Sequence, residues 1–397
     1  MEAVVLAAGE GSRMRPFTYN RPKVMLPVGN KPILEYVVES LSNAGIDKVV
    51  LVVGYRKERL QSYFGDGKDW DVDIVYREQS RQLGTAHALS QVRQEVGSEF
   101  LVVNGDSIID EKPIKSLKEK GNSIVFSFLK DTDDYGVITT ENGRVDRVFE
   151  KPGNGVSNKV VTGLYKFTDE VFRAIDRIEI SERGEYELGS AVQKMIEDGE
   201  RVEAIELDGF WMDGVYPWDL LKMNSKIISE QQTEHKDMIE DNVFLDEGVK
   251  VGENSRVRSG SYIMGPAKIG QDCEIGPNTV ILPSTTIGDN CTIKPNTTIE
   301  NSIVMDDSTI GANSSISNSI IGYNLTSGSH LSCHSDQTEV KINKEIYEVN
   351  HLGALIGDGC KLGTNVTVMP GTIVGVDCEV GSAVKVDGNT PNNVCLR

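Results

Sequence analysis

The chain has 397 residues, more than one ordinary core holds, so its length predicts two or three domains. Its formal net charge of −19 argues against nucleic acid or an anionic membrane as a partner, because like charges repel. No apolar stretch of about 18 residues exists for a membrane span. The first apolar run has no basic segment before it, so we expect a cytoplasmic protein rather than a secreted one.

That first apolar run leads directly into a glycine-containing loop. A short run of apolar residues that breaks into glycines and an arginine predicts a buried strand followed by a phosphate-binding loop. Gly9 and Gly11 have no side chains to keep a phosphate off the backbone, and Arg13 and Lys23 supply positive charge. The spacing matches neither a P-loop nor the glycine pattern of a dinucleotide fold.

The same residues carry a more specific resemblance. The run Leu-Ala-Ala-Gly-Glu-Gly-Ser-Arg-Met-Arg-Pro-Phe-Thr from Leu6 to Thr18, with Lys23 and the run Leu26-Pro27-Val28-Gly29, resembles the signature of the sugar-1-phosphate nucleotidylyltransferases. The competing interpretation is an ordinary glycine-containing turn between a strand and a helix. The resemblance implies that Arg13 and Lys23 are catalytic cations. It also implies that the loop binds the nucleotide through Leu6, Ala8, Gly9 and Gly11.

Segments with helix and strand periodicity alternate after this loop. Helical spacing over residues 32 to 44 precedes an apolar strand at Val49 to Val53, and the alternation continues to a strand at Phe100 to Val103. This pattern predicts an α/β fold with a doubly wound, mostly parallel, Rossmann-like sheet, whose ligands bind beyond the carboxyl ends of the strands. Asp106 directly follows one such end, where a carboxylate can hold Mg²⁺ against phosphate oxygens.

Further roles follow from the resemblance alone. It implies that Asp106 and Asp213 bind Mg²⁺ and that Lys151 contacts the phosphates, although Gly214-Val215 departs from the order usual after the second aspartate. The implied contacts to a pyrimidine base are Gln79, Gly84 and Thr85, and those to the sugar are Gly136, Glu150, Val161, Thr162 and Tyr165. His87 is interpreted as a partly exposed helix residue without a role in the chemistry.

These residue types suit a reaction that needs charge neutralisation. A sugar-1-phosphate is largely dianionic near pH 7, since its second pKa is about 6, so it needs no general base to act as a nucleophile. Mg²⁺ with Arg13, Lys23 and Lys151 would bring two anions together and stabilise the leaving pyrophosphate. We therefore expect transfer of a nucleotidyl group from dTTP or UTP to a sugar-1-phosphate.

The expected sugar is glucose-1-phosphate. Uridylyltransferases that act on N-acetylglucosamine-1-phosphate typically have asparagine where this chain has Val161, and an apolar residue there offers no hydrogen bond to an acetamido group. Two alternatives stay open. One is a bifunctional N-acetylglucosamine-1-phosphate uridylyltransferase and glucosamine-1-phosphate acetyltransferase. The other is a non-catalytic regulatory subunit, which the presence of all four residues Arg13, Lys23, Asp106 and Asp213 disfavours.

The periodicity changes after a polar segment. Aliphatic residues recur every six positions from Val251 to Ile299, slip by one at Val304 and at Ile321, and return from Ile356 after an interruption at about 323 to 355. This is the hexapeptide repeat of a β-helix, left-handed in the family, with three hexads in each coil. We predict a nucleotidylyltransferase domain over residues 1–225, a helical linker over 226–242 and the β-helix over 243–397.

The β-helix domain is expected to serve assembly, as a trimer or a dimer of trimers. The stretch Gly311 to Ser317 lacks the histidine that acetylating relatives carry before the residues matching Ile320-Ile321-Gly322, so acetyl transfer is the less favoured role. A metal site at His330, Cys333 and His334 fits no standard zinc spacing. The paired intervals Cys273/Cys291 and Cys360/Cys378 equal one coil, which predicts buried cysteines stacked roughly 4.8 Å apart rather than disulfides.

Overall fold

The computed structural model describes residues 1–235 and 238–397. By internal contacts it divides into two compact units. The first unit comprises Met1–Glu10, Arg21–Met25 and Pro32–Asp213, and the second comprises Gly11–Asn20, Leu26–Lys31 and Gly214–Arg397. The second unit thus includes two loop segments that the sequence analysis placed within residues 1–225.

The chain up to residue 213 alternates between strands and helices, as its periodicity predicts. The strands are β1 (Glu2–Ala7), β2 (Pro27–Val28), β3 (Lys31–Pro32), β4 (Lys48–Val53), β5 (Asp73–Glu78), β6 (Glu99–Asn104), β7 (Ser107–Ile109), β8 (Ser123–Phe128), β9 (Val137–Glu141), β10 (Arg144–Phe149), β11 (Lys159–Thr168), β12 (Glu203–Glu206) and β13 (Trp211–Asp213). The helices are α1 (Ile33–Asn43), α2 (Lys57–Phe64), α3 (Thr85–Ser90), α4 (Glu111–Leu117), α5 (Glu170–Ile175) and α6 (Leu188–Glu197), with α7 (Pro217–Ser229) following in the second unit. Short 3-10 helices occupy Ser12–Met14, Lys23–Met25 and Lys68–Trp70.

The first unit is built on one sheet with the order β5-β4-β1-β6-β11-β8-β12-β10-β9. Strands β5, β4, β1 and β6 are parallel to one another, whereas β11 is antiparallel to both of its neighbours, β6 and β8. Alternate residues of β1 enter different cores, Val4 on one face and Val5 on the other, so the sheet is buried on both faces. This confirms the predicted α/β doubly wound class.

The predicted helical linker is only partly correct. Helix α7 ends at Ser229, and the chain then forms the strand Glu234–His235, which pairs with Lys250 and Val251. Gln231 Nε2 donates to the carbonyl oxygens of Gly248 and Ala267. The polar segment after α7 therefore begins the first coil of the β-helix and does not continue the helix. Residues 236–237 of the predicted linker lie outside the described residues.

The second unit contains the β-helix that the hexad pattern predicts. Its strands stack in register as three parallel sheets, and Val257, Ile275 and Ile293 illustrate the vertical alignment one coil apart. The first sheet contains Glu234–His235, Val249–Val251, Ala267–Ile269, Thr285–Ile287, Ile303–Val304, Ile320–Ile321, Leu355–Ile356 and Ile373–Val374. The second contains Phe244–Leu245, Tyr262–Ile263, Val280–Ile281, Thr298–Glu300, Ser315–Ser317, Ser332–Cys333, Thr367–Val368 and Lys385–Val386. The third contains Arg256–Val257, Glu274–Ile275, Thr292–Ile293, Thr309–Ile310, Thr326–Ser327, Lys361–Leu362, Glu379–Val380 and Cys395–Leu396.

The two slips in the repeat correspond to coils that are one residue short. Ile287 pairs with Val304 and Val304 with Ile321, so two successive intervals are 17 residues instead of 18. Asparagine side chains are also stacked at one corner of successive coils, where Asn296 Nδ2 donates a hydrogen bond to Asn313 Oδ1 at 3.1 Å. Both have left-handed backbone conformations, with φ of 57° and 56°, which asparagine adopts more readily than most residues.

The predicted interruption at 323 to 355 is too long. The coil continues through Ser327, which pairs with Leu362, and through Cys333, which lies between Ile316 and Val368. Both inward side chains are buried at positions where other hexads have an aliphatic residue, so the aliphatic pattern misses them. The chain leaves the coil only for an antiparallel hairpin of Asp336–Ile342 and Glu345–Leu352, which we call the inserted hairpin.

The cysteines are free thiols within the β-helix. Cys273, Cys291, Cys360 and Cys378 are buried at stacked positions, and Cys395 is exposed. Burial raises the pKa of the Cys360 thiol to about 12, so it remains protonated near neutral pH. The stacked cysteines are therefore small buried residues of the core. Within the described ranges, no helix has both the length and the apolar character to cross a membrane.

The stacked aliphatic positions should dominate the stability of the second unit. Ile293 is fully buried between Ile275 and Ile310, so replacing it with alanine leaves a cavity and should lower the free energy of unfolding by about 3 kcal/mol. The adjacent Thr292→Ala variant removes an outward-facing side chain and should change it by less than about 1 kcal/mol. Thermal unfolding followed by circular dichroism distinguishes them; equal losses would contradict the assigned core.

Candidate active site

Two predicted acidic residues meet because two short strands pair. β7 directly follows Asp106, and its Ser107 is paired with Asp213 of β13 in an antiparallel two-stranded sheet. The pairing places the two carboxylates around a single cation, the Lys23 ammonium. Lys23 Nζ lies 2.6 Å from Asp106 Oδ2 and 3.4 Å from Asp213 Oδ1. Residues separated by long stretches of chain are thus brought together, and the transposed Gly214-Val215 does not prevent it.

The charge balance at this point suits a divalent cation. Burial opposes the charged form of Lys23, but the negative charges of Asp106 and Asp213 outweigh it and raise the pKa of the ammonium above its ordinary value. The Asp106 side chain is 35% exposed, so it is accessible to a ligand. Mg²⁺ in proteins is commonly held by one or two carboxylates together with substrate phosphates. Two carboxylates at one point are therefore a donor set of the kind that Mg²⁺ takes.

The glycine loop begins where β1 ends. Leu6 O accepts a hydrogen bond from Gly105 N at 2.9 Å, which ties this strand to the segment that carries Asp106. Ala8 is buried, and a Cβ built on Gly9 would meet no atom within 4 Å, so the backbone at Gly9 is open to a ligand. These residues belong to the first unit, at the carboxyl end of a parallel strand, as the fold class requires of a ligand loop.

Gly11 and Arg13 belong to the second unit. Gly11 has a left-handed backbone with φ of 73°, and its carbonyl accepts from Thr18 Oγ1 at 2.9 Å. The Arg13 guanidinium carbon lies 5.7 Å from the ring centroid of Tyr216. Tyr216 in turn contacts Tyr347 of the inserted hairpin, with ring centroids 4.6 Å apart. Aromatic packing therefore supports the side chain of Arg13.

The predicted base-recognition segment is fixed by backbone contacts to a distant segment. Tyr186 N donates to Leu83 O at 2.7 Å, and Tyr186 O accepts from Ala86 N at 2.9 Å. Gly84, between them, has φ of 105°, and a Cβ there would lie 2.4 Å from Tyr186 O. Thr85 Oγ1 accepts from Leu188 N at 2.9 Å. Position 84 therefore requires glycine, because a side chain there would collide with the backbone of Tyr186.

Three predicted sugar contacts also come together. Gly136 O accepts from Val161 N at 2.8 Å, and a Cβ on Gly136 would lie 3.2 Å from Glu150 Oε2. Arg183, which the sequence analysis did not identify, donates to Glu150 Oε1 at 3.0 Å. Burial and then the charge of Glu187 raise the pKa of the Glu150 carboxyl, whereas the positive charges of Arg183 and Lys151 oppose the rise. Glu150 is therefore held within a charge network.

The remaining predicted residues are placed less directly. The Thr162 hydroxyl is buried and donates to Val125 O at 2.9 Å, so its proton is engaged in joining β11 to β8. Tyr165 is buried beside Phe167, and burial followed by the charge of Glu150 raises the pKa of its hydroxyl. Lys151 follows β10 with a left-handed φ of 46°.

The suggested metal site at His330, Cys333 and His334 is not formed. Cys333 points into the β-helix core, whereas both histidines are exposed. Over residues 1–235 and 238–397, no group of three or more histidine, cysteine, aspartate or glutamate side chains is arranged to hold a metal ion. The alternation of inward and outward residues along each coil explains why these three neighbours in sequence do not converge.

Comparison with known families gives matches along most of the chain. Residues 2–230 match the family described as nucleotidyl transferase. Residues 263–351 match the GMPPB C-terminal domain, and residues 353–387 match the hexapeptide repeat of succinyl-transferase. The second and third matches fall within the β-helix on either side of the end of the inserted hairpin.

Individual relatives extend the similarity to the full length. The "Bifunctional protein GlmU" of Methanocaldococcus jannaschii is 34% identical over 99% of this chain and 96% of its own length. A "Bifunctional sugar-1-phosphate nucleotidylyltransferase/acetyltransferase" of Sulfurisphaera tokodaii is 32% identical over 98% of each chain. A solved Bacillus anthracis protein, provisionally named a glucose-1-phosphate thymidylyltransferase, is 27% identical with a TM-score of 0.53. The match covers 57% of this chain and 94% of that one.

Proposed function

Because the chain belongs to the nucleotidyl transferase family, we propose that it is a bifunctional enzyme that makes a nucleotide-activated amino sugar. Its first activity transfers a nucleotidyl group to a sugar-1-phosphate and releases pyrophosphate. The observation that carries this proposal is the convergence of Asp106 and Asp213 on Lys23. Carboxylates and an ammonium at one point form a site for a metal ion and the phosphates it binds.

The residues would act by positioning and by charge. A phosphate oxygen of the sugar-1-phosphate attacks the α-phosphorus of the nucleotide, and the bond from that phosphorus to pyrophosphate breaks. When bound to Asp106 and Asp213, Mg²⁺ neutralises negative charge on the phosphate oxygens. Lys23 and Lys151 contribute further positive charge, and the open backbone at Gly9 binds phosphate. Because the attacking phosphate is already anionic, no side chain has to remove a proton.

The nucleotide and sugar sites are assigned to the two remaining groups of residues. Gln79, Gly84 and Thr85 would contact the pyrimidine of UTP or dTTP. Gly136, Glu150 and Val161 would contact the sugar, and Thr162 and Tyr165, which are buried within β11, would support them. The carboxylate of Glu150, held by Arg183, is suited to accept hydrogen bonds from sugar hydroxyls.

The second proposed activity is acetyl transfer by the β-helix. Relatives that match nearly the whole chain are named bifunctional, and one is named an acetyltransferase. When both activities occur in one chain, an acetylated sugar-1-phosphate is the expected substrate for nucleotidyl transfer, which favours an N-acetyl amino sugar over glucose. The amine would attack the thioester carbonyl of acetyl-coenzyme A, a base would take the amine proton, and the C–S bond would break so that coenzyme A leaves as the thiol. Exposed His330, His334 and His351 are the candidate bases, since the family histidine is missing.

The second candidate sugar is glucose-1-phosphate, and Val161 is the observation that favours it. Val161 is half-buried, its side chain has no hydrogen-bonding atom, and its backbone N–H already donates to Gly136 O. It therefore offers an acetamido group no hydrogen-bond donor.

We also propose that the chain forms a homo-oligomer through the β-helix, which light scattering of the full chain tests.

A substrate grid tests both activities. Pyrophosphate release with Mg²⁺ is measured for UTP, dTTP, CTP, ATP and GTP against the 1-phosphates of N-acetylglucosamine, glucose and mannose. Thiol release is measured with acetyl-coenzyme A and glucosamine-1-phosphate. We expect UTP or dTTP with N-acetylglucosamine-1-phosphate to be preferred, and thiol release to occur. Preference for glucose-1-phosphate without thiol release would establish the second candidate, and no pyrophosphate release anywhere would contradict the proposal.

A further inference from the structure

Two hydrogen-bond contacts hold the side chain of Gln79, one of the proposed contacts to the base. It follows the end of β5 and is buried, with 3% of its surface exposed. Its Nε2 donates to Gly84 O at 3.0 Å and lies 2.9 Å from His87 Nδ1. A carboxamide nitrogen carries two hydrogens. These two contacts therefore engage both N–H groups of Gln79.

The contact between Gln79 Nε2 and His87 Nδ1 also indicates which nitrogen of the imidazole accepts a hydrogen bond. Because the Gln79 nitrogen can only donate, Nδ1 of His87 accepts in this contact, which corresponds to the tautomer with its proton on Nε2. His87 is half-buried within α3, and its own carbonyl accepts from Ser90 Oγ at 2.7 Å. The ring therefore presents an acceptor to Gln79 from a helical segment that is itself held against Tyr186 through Ala86.

With both N–H groups engaged, the remaining polar atom of the Gln79 side chain is Oε1, an acceptor. Uracil and thymine carry a hydrogen-bond donor at N3, whereas cytosine carries an acceptor there. A glutamine held in this orientation can therefore pair with N3–H of the first two bases but opposes the cytosine lone pair. If the amide were rotated, its nitrogen would face the base and this preference would be reversed.

We propose that His87 is a positioning residue that selects uracil or thymine over cytosine by holding the Gln79 amide with its carbonyl toward the base. The inference rests on the proposed function only in taking Gln79 as the base contact. Gly84 O holds the same amide nitrogen, so His87 shares this task with the backbone. The histidine that the sequence analysis interpreted as uninvolved thus contributes to specificity without touching the nucleotide.

Binding of free nucleotides to the full chain tests this inference independently of the sugar. Isothermal titration calorimetry with UTP and CTP, each with Mg²⁺, gives the ratio of their dissociation constants. We expect the wild type to bind UTP more tightly. His87→Leu, which removes the acceptor, should reduce the UTP preference by about tenfold. His87→Asn, whose side-chain oxygen can accept from Gln79, should retain more of it than His87→Leu.

Gln91→Ala serves as the matched control, because Gln91 lies on the same helical segment and contacts the His87 carbonyl rather than its ring. It should leave the ratio unchanged. A ratio in His87→Leu within twofold of the wild type would overturn the inference. If that variant fails to fold, His87→Ala decides by the same ratio. A wild type that binds neither nucleotide would overturn this inference, whereas pyrophosphate release in the substrate grid decides the proposed function separately.

Discussion

Replacing Asp106 with asparagine is expected to reduce the turnover of nucleotidyl transfer by at least about 10³-fold. The carboxylate is replaced by a neutral amide of the same size, so the site loses a proposed Mg²⁺ ligand and the ammonium of Lys23 loses its nearer partner, now at 2.6 Å. The loss should appear in kcat and should not be restored by raising the Mg²⁺ concentration. Pyrophosphate release at several Mg²⁺ concentrations measures it.

Asp208→Asn is the control for this substitution, since it makes the same chemical change at an exposed position. Its turnover should match that of the wild type. Acetyl transfer, if the wild type has it, should be retained in Asp106→Asn, because the proposed second activity belongs to the β-helix. A variant at position 106 that keeps more than a tenth of wild-type turnover would rule out its assignment as a metal ligand.

Replacing Gly84 with alanine is expected to disrupt the nucleotide site and to destabilise the first unit. Alanine at φ of 105° is strained, and its Cβ would lie 2.4 Å from the backbone oxygen of Tyr186. We expect the free energy of unfolding to fall by about 3 kcal/mol. We also expect affinity for the nucleotide to fall at least tenfold, because the backbone that carries Gln79 and Thr85 must move. Thermal unfolding and nucleotide titration measure the two effects.

The chain offers a matched control for backbone strain. Gly155 has a φ of 100°, close to that of Gly84, but a Cβ there would meet no atom within 4 Å. Gly155→Ala therefore carries the conformational strain without the collision. Its expected cost is about 1 kcal/mol, with nucleotide binding preserved. Similar behaviour of the two alanine variants would show that the contact with Tyr186 is not important.

The periodicity of the sequence was sufficient to predict most of the fold. Helical spacing over 32 to 44 predicted α1, and the hexads from Val251 to Ile299 predicted the stacked strands. The prediction was wrong where the composition of a segment and its environment in the fold disagree. Ser327 and Cys333 occupy inward positions that are aliphatic in other hexads, so the aliphatic repeat does not reveal these two strands. The segment after Ser229 is polar and yet pairs as a strand, so its composition does not reveal it either.

The candidate site was predicted less completely because it depends on pairings between distant segments. Nothing local in the sequence shows that β13 pairs with β7, so the meeting of Asp213 with Asp106 followed only from family resemblance. Likewise, the contact of Arg183 with Glu150 and that of His87 with Gln79 arise from side-chain geometry. Residues whose role is to hold another residue leave no motif of their own.

The coil geometry also determines which changes in chain length the β-helix tolerates. Inserting or deleting one whole coil keeps every inward residue in phase and moves the end of the stack by one strand spacing, roughly 4.8 Å. A change by another number of residues turns inward positions outward unless a corner absorbs it. The intervals from Ile287 to Val304 and from Val304 to Ile321 show that a corner absorbs a single-residue deletion. The inserted hairpin shows the other solution, since a segment that leaves and re-enters the coil at one corner preserves the phase of all the others.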